Sequence, residues 1–172
     1  MRFRFLVLLS LSVISVVFSA ETLGQKPLEV TEVTLEVSPG SIGSNRAFKI
    51  ILRQDGSAAY HGQAGVALIG KYKGVITKDQ YDQLTRLIMT NGFLEMRSRL
   101  PSSTAFAGSQ NMPIVTSSLV RTGAVVNGKA KTISRATGVK IDESEQPSKE
   151  LLEIEFAITS LATKLTWVKT GR

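Results

Sequence analysis

Residues 47–94 constrain the fold more than any other part of the chain, because a hairpin pattern runs directly into a helix start. Ala47 to Arg53 alternates in polarity, which is typical of a half-buried strand. Its apolar side chains share one face: Phe48, Ile50 and Leu52. Asp55-Gly56 then favours a two-residue hairpin turn, since both central residues of that turn need positive φ.

The returning strand is expected to run through Tyr60, to bend or bulge between Gly62 and Gly65, and to continue from Val66 to Val75. Regular pairing from a two-residue turn places Leu52 opposite Ala59 and Ile50 opposite His61. His61 would then lie on the same face as the apolar side chains of the preceding strand. A bulge at the glycines would reverse that placement.

A helix is predicted directly after this strand. Thr77-Lys78-Asp79-Gln80 matches a capping box, in which the first and fourth residues satisfy each other's backbone N–H groups. An apolar stripe follows at helical spacing, and Asn91-Gly92 ends it. The stripe consists of Tyr81, Leu84, Leu87 and Ile88.

The remaining elements are assigned in the same way. Glu29 to Val37 predicts a strand whose period slips near Thr31, which allows a bulge. Asn127-Gly128 predicts a tight turn between strands over 114–126 and 129–135. Ser148 is expected to cap a second helix, after which Trp167-Val168 would pack on the sheet. The second helix has an apolar stripe at Leu151, Ile154, Ile158, Leu161 and Leu165.

The order β-ββ-α-ββ-α predicts one α+β domain over residues 29–172, preceded by a short linker over 21–28. We expect a mostly antiparallel sheet of about five strands with both helices packed on one face. Two loops interrupt this order, over 98–113 and 136–147. The first loop is long and consists mainly of small and polar residues, and it is the expected contact surface for a partner.

The first twenty residues are typical of a secretory signal peptide. Arg2 and Arg4 precede an apolar run, and small residues follow it. Cleavage after Ser19 is preferred to cleavage after Ala20, which would leave bulky Phe18 at a small-residue position. The chain has no cysteine, so lipid attachment, disulfides and thiol chemistry are excluded. The protein is therefore expected to be periplasmic or secreted.

The charge balance is basic without a basic block. The chain has 21 Lys and Arg against 14 Asp and Glu, and loss of Arg2 and Arg4 leaves 19 against 14, a net charge near +5. The cations are scattered and aromatic residues are few, so the chain has no surface on which the bases of single-stranded nucleic acid could stack. Nucleic acid is therefore not an expected partner. An anionic envelope surface is one possible partner, and a solvated basic surface is the other interpretation.

No motif identifies a catalytic, cofactor or metal site. His61 is the sole histidine, and the sequence supplies neither an orienting partner nor a reacting group for it. Loop carboxylates at Asp142, Glu143 and Glu145 lack the spacing of a calcium loop. We therefore expect a non-enzymatic module that binds an unknown protein or envelope component through a sheet edge or the 98–113 loop. The alternative is a hydrolase-like enzyme with a site around His61 and Tyr60.

The run SIGSNRAFKIILRQDG (41–56), followed by Tyr60-x-Gly62 and by Gly74-Val75-Ile76 before the helix, resembles a family of bacterial exported domains of unknown function. Family members carry Cys-Phe-Gly-x-Cys-Pro-x-Tyr, a Gly-Asp-Gly turn, Tyr-x-Gly and Gly-x-Ile. Here Ser41 and Asn45 occupy the two cysteine positions and Arg46 that of the proline. The resemblance implies an α+β fold and export, and it supplies no activity, because the family has none assigned.

Export generates the first prediction. N-terminal sequencing of the protein from an exported fraction should give Ala20 as the first residue, because Val17 and Ser19 supply the small-residue positions of the cleavage site. A chain that begins at Met1 and sediments with membranes would contradict both the cleavage and the export.

Overall fold

The computed structural model describes residues 28–40, 45–98, 118–137 and 146–170. Its elements are β1 (Val30–Ser38), β2 (Ala47–Arg53), β3 (Ser57–Ala64), β4 (Gly70–Val75), α1 (Lys78–Thr90), β5 (Ser118–Val126), β6 (Lys129–Thr137), α2 (Lys149–Lys164) and β7 (Val168–Lys169). The seven strands form one antiparallel sheet in the order β6-β5-β1-β2-β3-β4-β7. The α+β class with an antiparallel sheet is therefore confirmed.

The predicted two-residue turn between β2 and β3 is wrong by one residue. Leu52 pairs with Ala58 and Ile50 with Tyr60, so three residues, 54–56, connect the strands. Gly56 has a φ of 84° and donates its N–H to the Arg53 carbonyl. A β-turn closed by a left-handed glycine is the usual form of a three-residue hairpin loop, and Asp-Gly suits it as well as the shorter turn.

The single returning strand predicted over 58–75 is also wrong, because it is two strands. A bulge at Gln63 shifts the pairing of β2 with β3, and the chain then bends over 65–68 and reverses into β4. The bulge expected between Gly62 and Gly65 is confirmed, but the bend that follows it over 65–68 reverses the chain instead of interrupting one strand. This hairpin and the short β7 raise the strand count from the expected five to seven.

Local predictions elsewhere are confirmed. The pairing of β1 with β5 shifts between Val30 and Glu32, where the sequence period slips. The Thr77 side chain accepts the Gln80 N–H and the Gln80 side chain accepts the Thr77 N–H, as in a capping box. Ser148 caps α2, and β5 and β6 form a two-residue hairpin at Asn127-Gly128, both with positive φ.

One face of the sheet and the apolar stripes of both helices form a single core. Inward residues of β1 and β2 meet Tyr81, Leu84 and Ile88 of α1 and Leu151, Ile154 and Ile158 of α2 in one buried cluster. The Tyr81 hydroxyl crosses the layer and donates to the Val30 carbonyl at 3.1 Å. Burial raises the pKa of Tyr81 well above its ordinary value, with the Glu32 and Asp55 charges acting in the same direction.

A buried ion pair joins α2 to the sheet. Glu155 is only 7% exposed, and its carboxylate accepts two N–H groups of Arg135 on β6 and the hydroxyl of Thr122 on β5. The sequence assigned Glu155 only to the helix, yet it occupies a position of the apolar stripe, between Leu151 and Ile158. An acidic residue at such a position is a signal for a buried partner.

Three sequence assignments fall mainly or wholly outside the described residues. These are the signal and linker over 1–28, the contact loop over 98–113 and the acidic loop at Asp142, Glu143 and Glu145, of which only residues 28 and 98 are described.

The ion pair generates the second prediction. Glu155→Ala should lower the free energy of unfolding by about 3–5 kcal/mol, because it leaves the Arg135 guanidinium, whose side chain is only 16% exposed, without its carboxylate. The double variant Glu155→Leu/Arg135→Met should recover most of that loss, since no buried charge remains. Chemical denaturation of the three proteins measures both effects. A double variant less stable than the single variant would contradict the assignment.

Candidate functional site

The two residues of the predicted enzyme site lie on opposite faces of β3. Tyr60 pairs with Ile50 and Tyr72 and packs against the core beneath the helices. His61, its neighbour, pairs with Lys49 and Lys71 and therefore points to the other face, since strand side chains alternate. This placement corrects the expectation that His61 shares a face with Ile50. The structure does not bring Tyr60 and His61 into one site.

His61 belongs to a sheet face that no described helix covers, which we call the open face. One cross-strand row on it runs Arg121, Glu36, Lys49, His61 and Lys71. The next row runs Gly123, Thr34, Ile51, Ala59 and Lys73. A row of charged residues and His61 therefore lies beside a row of mostly small or uncharged residues, over five of the seven strands.

The open face has an excess of positive charge. Its five cations are Lys49, Arg53, Lys71, Lys73 and Arg121, against two carboxylates, Glu32 and Glu36, so the face carries a net +3 with His61 neutral. Both carboxylates are engaged by cations of the neighbouring strands. Among the described residues, Lys71 and Lys73 have no ion-pair partner, and both are exposed. The surplus therefore lies at the β4 end.

On the covered face, Tyr60 is the centre of an aromatic cluster. Its ring lies 6.1 Å from that of Phe48, 6.1 Å from that of Tyr72 and 5.6 Å from that of Trp167, measured between centroids. Burial raises the pKa of Tyr60, and the charge of nearby Arg46 opposes this in part. Within the described residues, the Tyr60 hydroxyl makes no hydrogen bond.

A cleft of about 280 Å³ opens beside this cluster, between the sheet, the 65–68 bend and the last turns of α2. We call it the Tyr60 cleft. Its sheet and bend walls are Phe48, Ile50, Tyr60, Val66, Ala67 and Leu68. Its helix wall is Thr159, Ala162 and Thr163, and Trp167, just after α2, and Arg46 line it as well. The lining is mostly apolar with a few polar groups, which is the usual composition of a small-molecule pocket.

Two close contacts hold the walls of the cleft in place. The bend lies directly on the backbone of β3, where a Cβ at Gly62 would come within 1.8 Å of the Leu68 carbonyl oxygen. On the other side, the Trp167 indole donates its N–H to the Ala162 carbonyl at 2.9 Å and so anchors the chain after α2 to the helix. The cleft is therefore built by backbone positions and is not a gap between loose side chains.

A second groove, of about 550 Å³, lies at the end of the sheet where β4 meets β7. Lys73 and Lys164 line it together with the exposed Val75 and Val168. Lys73 belongs to the open face as well, so the groove continues the basic end of that face around the edge of the sheet.

Metal chemistry and membrane spanning find no support in the described residues. No group of three or more His, Asp or Glu side chains there could hold a metal ion. In the same ranges, neither helix has both the length and the apolar character needed to cross a membrane.

Comparison with protein-family models and with curated proteins identified no relative of the chain. No protein-family model matches the chain, and no curated protein matches it either. The resemblance to exported bacterial domains therefore remains a prediction.

The wall of the cleft generates the third prediction. Gly62→Ala should cost at least about 2 kcal/mol of folding free energy, because the bend must leave the strand to admit a methyl group. Gly128→Ala is the control: a Cβ there meets nothing within 4 Å, so it should cost only the left-handed backbone penalty of about 1–2 kcal/mol, and less than Gly62→Ala. Equal losses of unfolding free energy for the two variants in chemical denaturation would show that the 65–68 bend does not pack against Gly62.

Proposed function

We propose that the protein is an exported, non-enzymatic binding domain that recognises an acidic partner of the cell envelope or extracellular space through the open face of its sheet. The observation that supports this best is the surplus of cations on a sheet face that no described element covers. An uncovered antiparallel face is common, but on this one the cations outnumber the carboxylates by five to two.

The arrangement of the charges favours recognition over a uniformly solvated surface. Glu36 holds both Lys49 and Arg121, which fixes their positions across three strands. Lys71 and Lys73 extend the same rows without a carboxylate of their own in the described residues. A partner that supplies acidic groups would complete these rows, and the positive field would accelerate its approach.

The hydrolase alternative has no specific observation in its favour. Tyr60 and His61 are separated by the thickness of the sheet, and a general base needs its reacting group within hydrogen-bond reach.

Binding to immobilised poly-L-glutamate at low ionic strength tests the face, and affinity capture from the exported fraction tests the natural partner. The triple variant Lys49→Gln/Lys71→Gln/Lys73→Gln should bind poly-L-glutamate and the natural partner about tenfold more weakly. This loss corresponds to about 0.5 kcal/mol for each of three exposed or partly exposed contacts. Added salt should weaken binding of the unmodified protein as well.

The matched control is Lys78→Gln/Lys129→Gln/Lys149→Gln, which changes net charge equally with no substitution on the open face. Lys78 and Lys149 are 83% and 85% exposed at the starts of the helices. The control should retain binding close to that of the unmodified protein. Equal loss in both triple variants would reduce the effect to net charge and would overturn the proposal.

A further inference from the structure

The Tyr60 cleft has properties that the proposed partner binding does not use. It lies on the covered side of the sheet, away from the open face, and its lining residues come from four separate parts of the chain. Its walls are fixed by the seat of the bend on Gly62 and by the Trp167–Ala162 hydrogen bond. A pocket that is already formed loses little ordering entropy when a ligand enters.

The size and lining of the cleft restrict what could fill it. The volume of about 280 Å³ lies just below the usual range of about 300–1,000 Å³ for ligand pockets, which suits a single ring or a short alkyl chain. The space exists because the bend and the helix present small side chains to it, Ala67, Thr159, Ala162 and Thr163. The rings of Phe48, Tyr60 and Trp167 line the cleft beside these small residues and offer apolar faces to a ligand body.

The polar groups indicate the charge of the ligand. The Arg46 guanidinium carbon lies 5.7 Å from the centroid of the Phe48 ring, and its charge acts on the neighbouring Tyr60 hydroxyl. These two groups are hydrogen-bond donors on the sheet side of the cleft. Both threonine hydroxyls of the helix wall already donate to backbone carbonyls of α2. Donors and a positive charge on one side of an apolar cavity complement a carboxylate.

We infer that the Tyr60 cleft is a binding site for a small apolar monocarboxylate, with its hydrocarbon part against the rings of Phe48 and Trp167 and its carboxylate towards Arg46 and Tyr60. The site is independent of the open face, so the domain would bind a small molecule and an acidic partner on opposite sides of one sheet.

The chain contains its own reporter for this site, because Trp167 is its single tryptophan. Titration of the mature protein with 3-phenylpropionate, and separately with octanoate, should change Trp167 emission along a saturating curve. The neutral analogue 3-phenylpropanol should bind about tenfold more weakly, because it lacks the charge that Arg46 and Tyr60 would meet. Acetate, which has the charge without the apolar body, should not saturate.

Variants locate the binding. Ala162→Leu fills the cleft from the helix and should abolish the saturable response. Should that variant not fold, Thr163→Leu at a more exposed position of the same wall gives the same test. Arg46→Gln should reduce 3-phenylpropionate affinity about tenfold and leave 3-phenylpropanol unchanged. The open-face variant Lys49→Gln/Lys71→Gln/Lys73→Gln should bind 3-phenylpropionate normally, which separates this inference from the proposed function.

Several outcomes would overturn the inference. One is the absence of a saturable response to either carboxylate at millimolar concentration. Another is a response that survives both the helix-wall variant and Arg46→Gln, which would place binding elsewhere. Equal affinity for 3-phenylpropanol would remove the carboxylate from the assignment. A change in Trp167 emission with protein concentration alone would assign the cleft to a second copy of the chain.

Discussion

The three-residue turn between β2 and β3 determines which face of the sheet each side chain of β3 and β4 occupies. Side chains alternate with a period of two, so a turn shorter by one residue would exchange the inward and outward sets. Gly56 supplies the left-handed residue, Asp55 accepts the Ser57 N–H at 2.8 Å, and the Gly56 carbonyl accepts the Ile76 N–H at 2.9 Å. The last bond ties the turn to the residue that precedes the α1 cap. In the shifted register His61 would enter the apolar layer without an evident hydrogen-bond partner, which costs the free energy of burying a polar group. Tyr60 would at the same time leave the aromatic cluster that lines the cleft.

The chemistry of the two sheet faces differs because only one is covered by described helices. Beneath the helices, aromatic rings gather around Tyr60. Glu155, the one buried acidic residue among those that the structure describes, is matched by Arg135 and Thr122. On the open face, charged residues remain solvated and make cross-strand pairs that each contribute little to stability. Such residues are not required for the core to form. The surplus cations at the β4 end, Lys71 and Lys73, make no ion pair within the described residues, and for this reason we propose them for recognition.

Sequence reasoning succeeded where local chemistry decides the structure. The Thr77 and Ser148 caps, the Asn127-Gly128 turn and the bulge near Thr31 each follow from one or a few neighbouring residues. It failed where distant contacts decide. Asp-Gly serves a two- or three-residue turn equally well, and the reversal after β3 depends on the Leu68 carbonyl lying against Gly62. The Tyr60 cleft could not be predicted at all, because its walls come from separate segments that meet only in the folded chain.

The buried ion pair links the stability of the fold to the shape of that cleft. Glu155 lies one helical turn before Thr159, and the Thr159 hydroxyl donates to its carbonyl at 2.9 Å. Glu155 accepts three hydrogen bonds from Arg135 and one from Thr122, and these fix the position of α2 along its axis relative to the sheet. They act close to the helix wall of the Tyr60 cleft, which Thr159, Ala162 and Thr163 form. An apolar pair could hold the helix against the sheet as tightly, but it would resist sliding less, since apolar contacts are not directional. A helix that slides along its axis by the rise of one residue moves its side chains by about 1.5 Å. The directional ion pair opposes such a slide, and it therefore keeps Ala162 beside the aromatic cluster and keeps the cleft open.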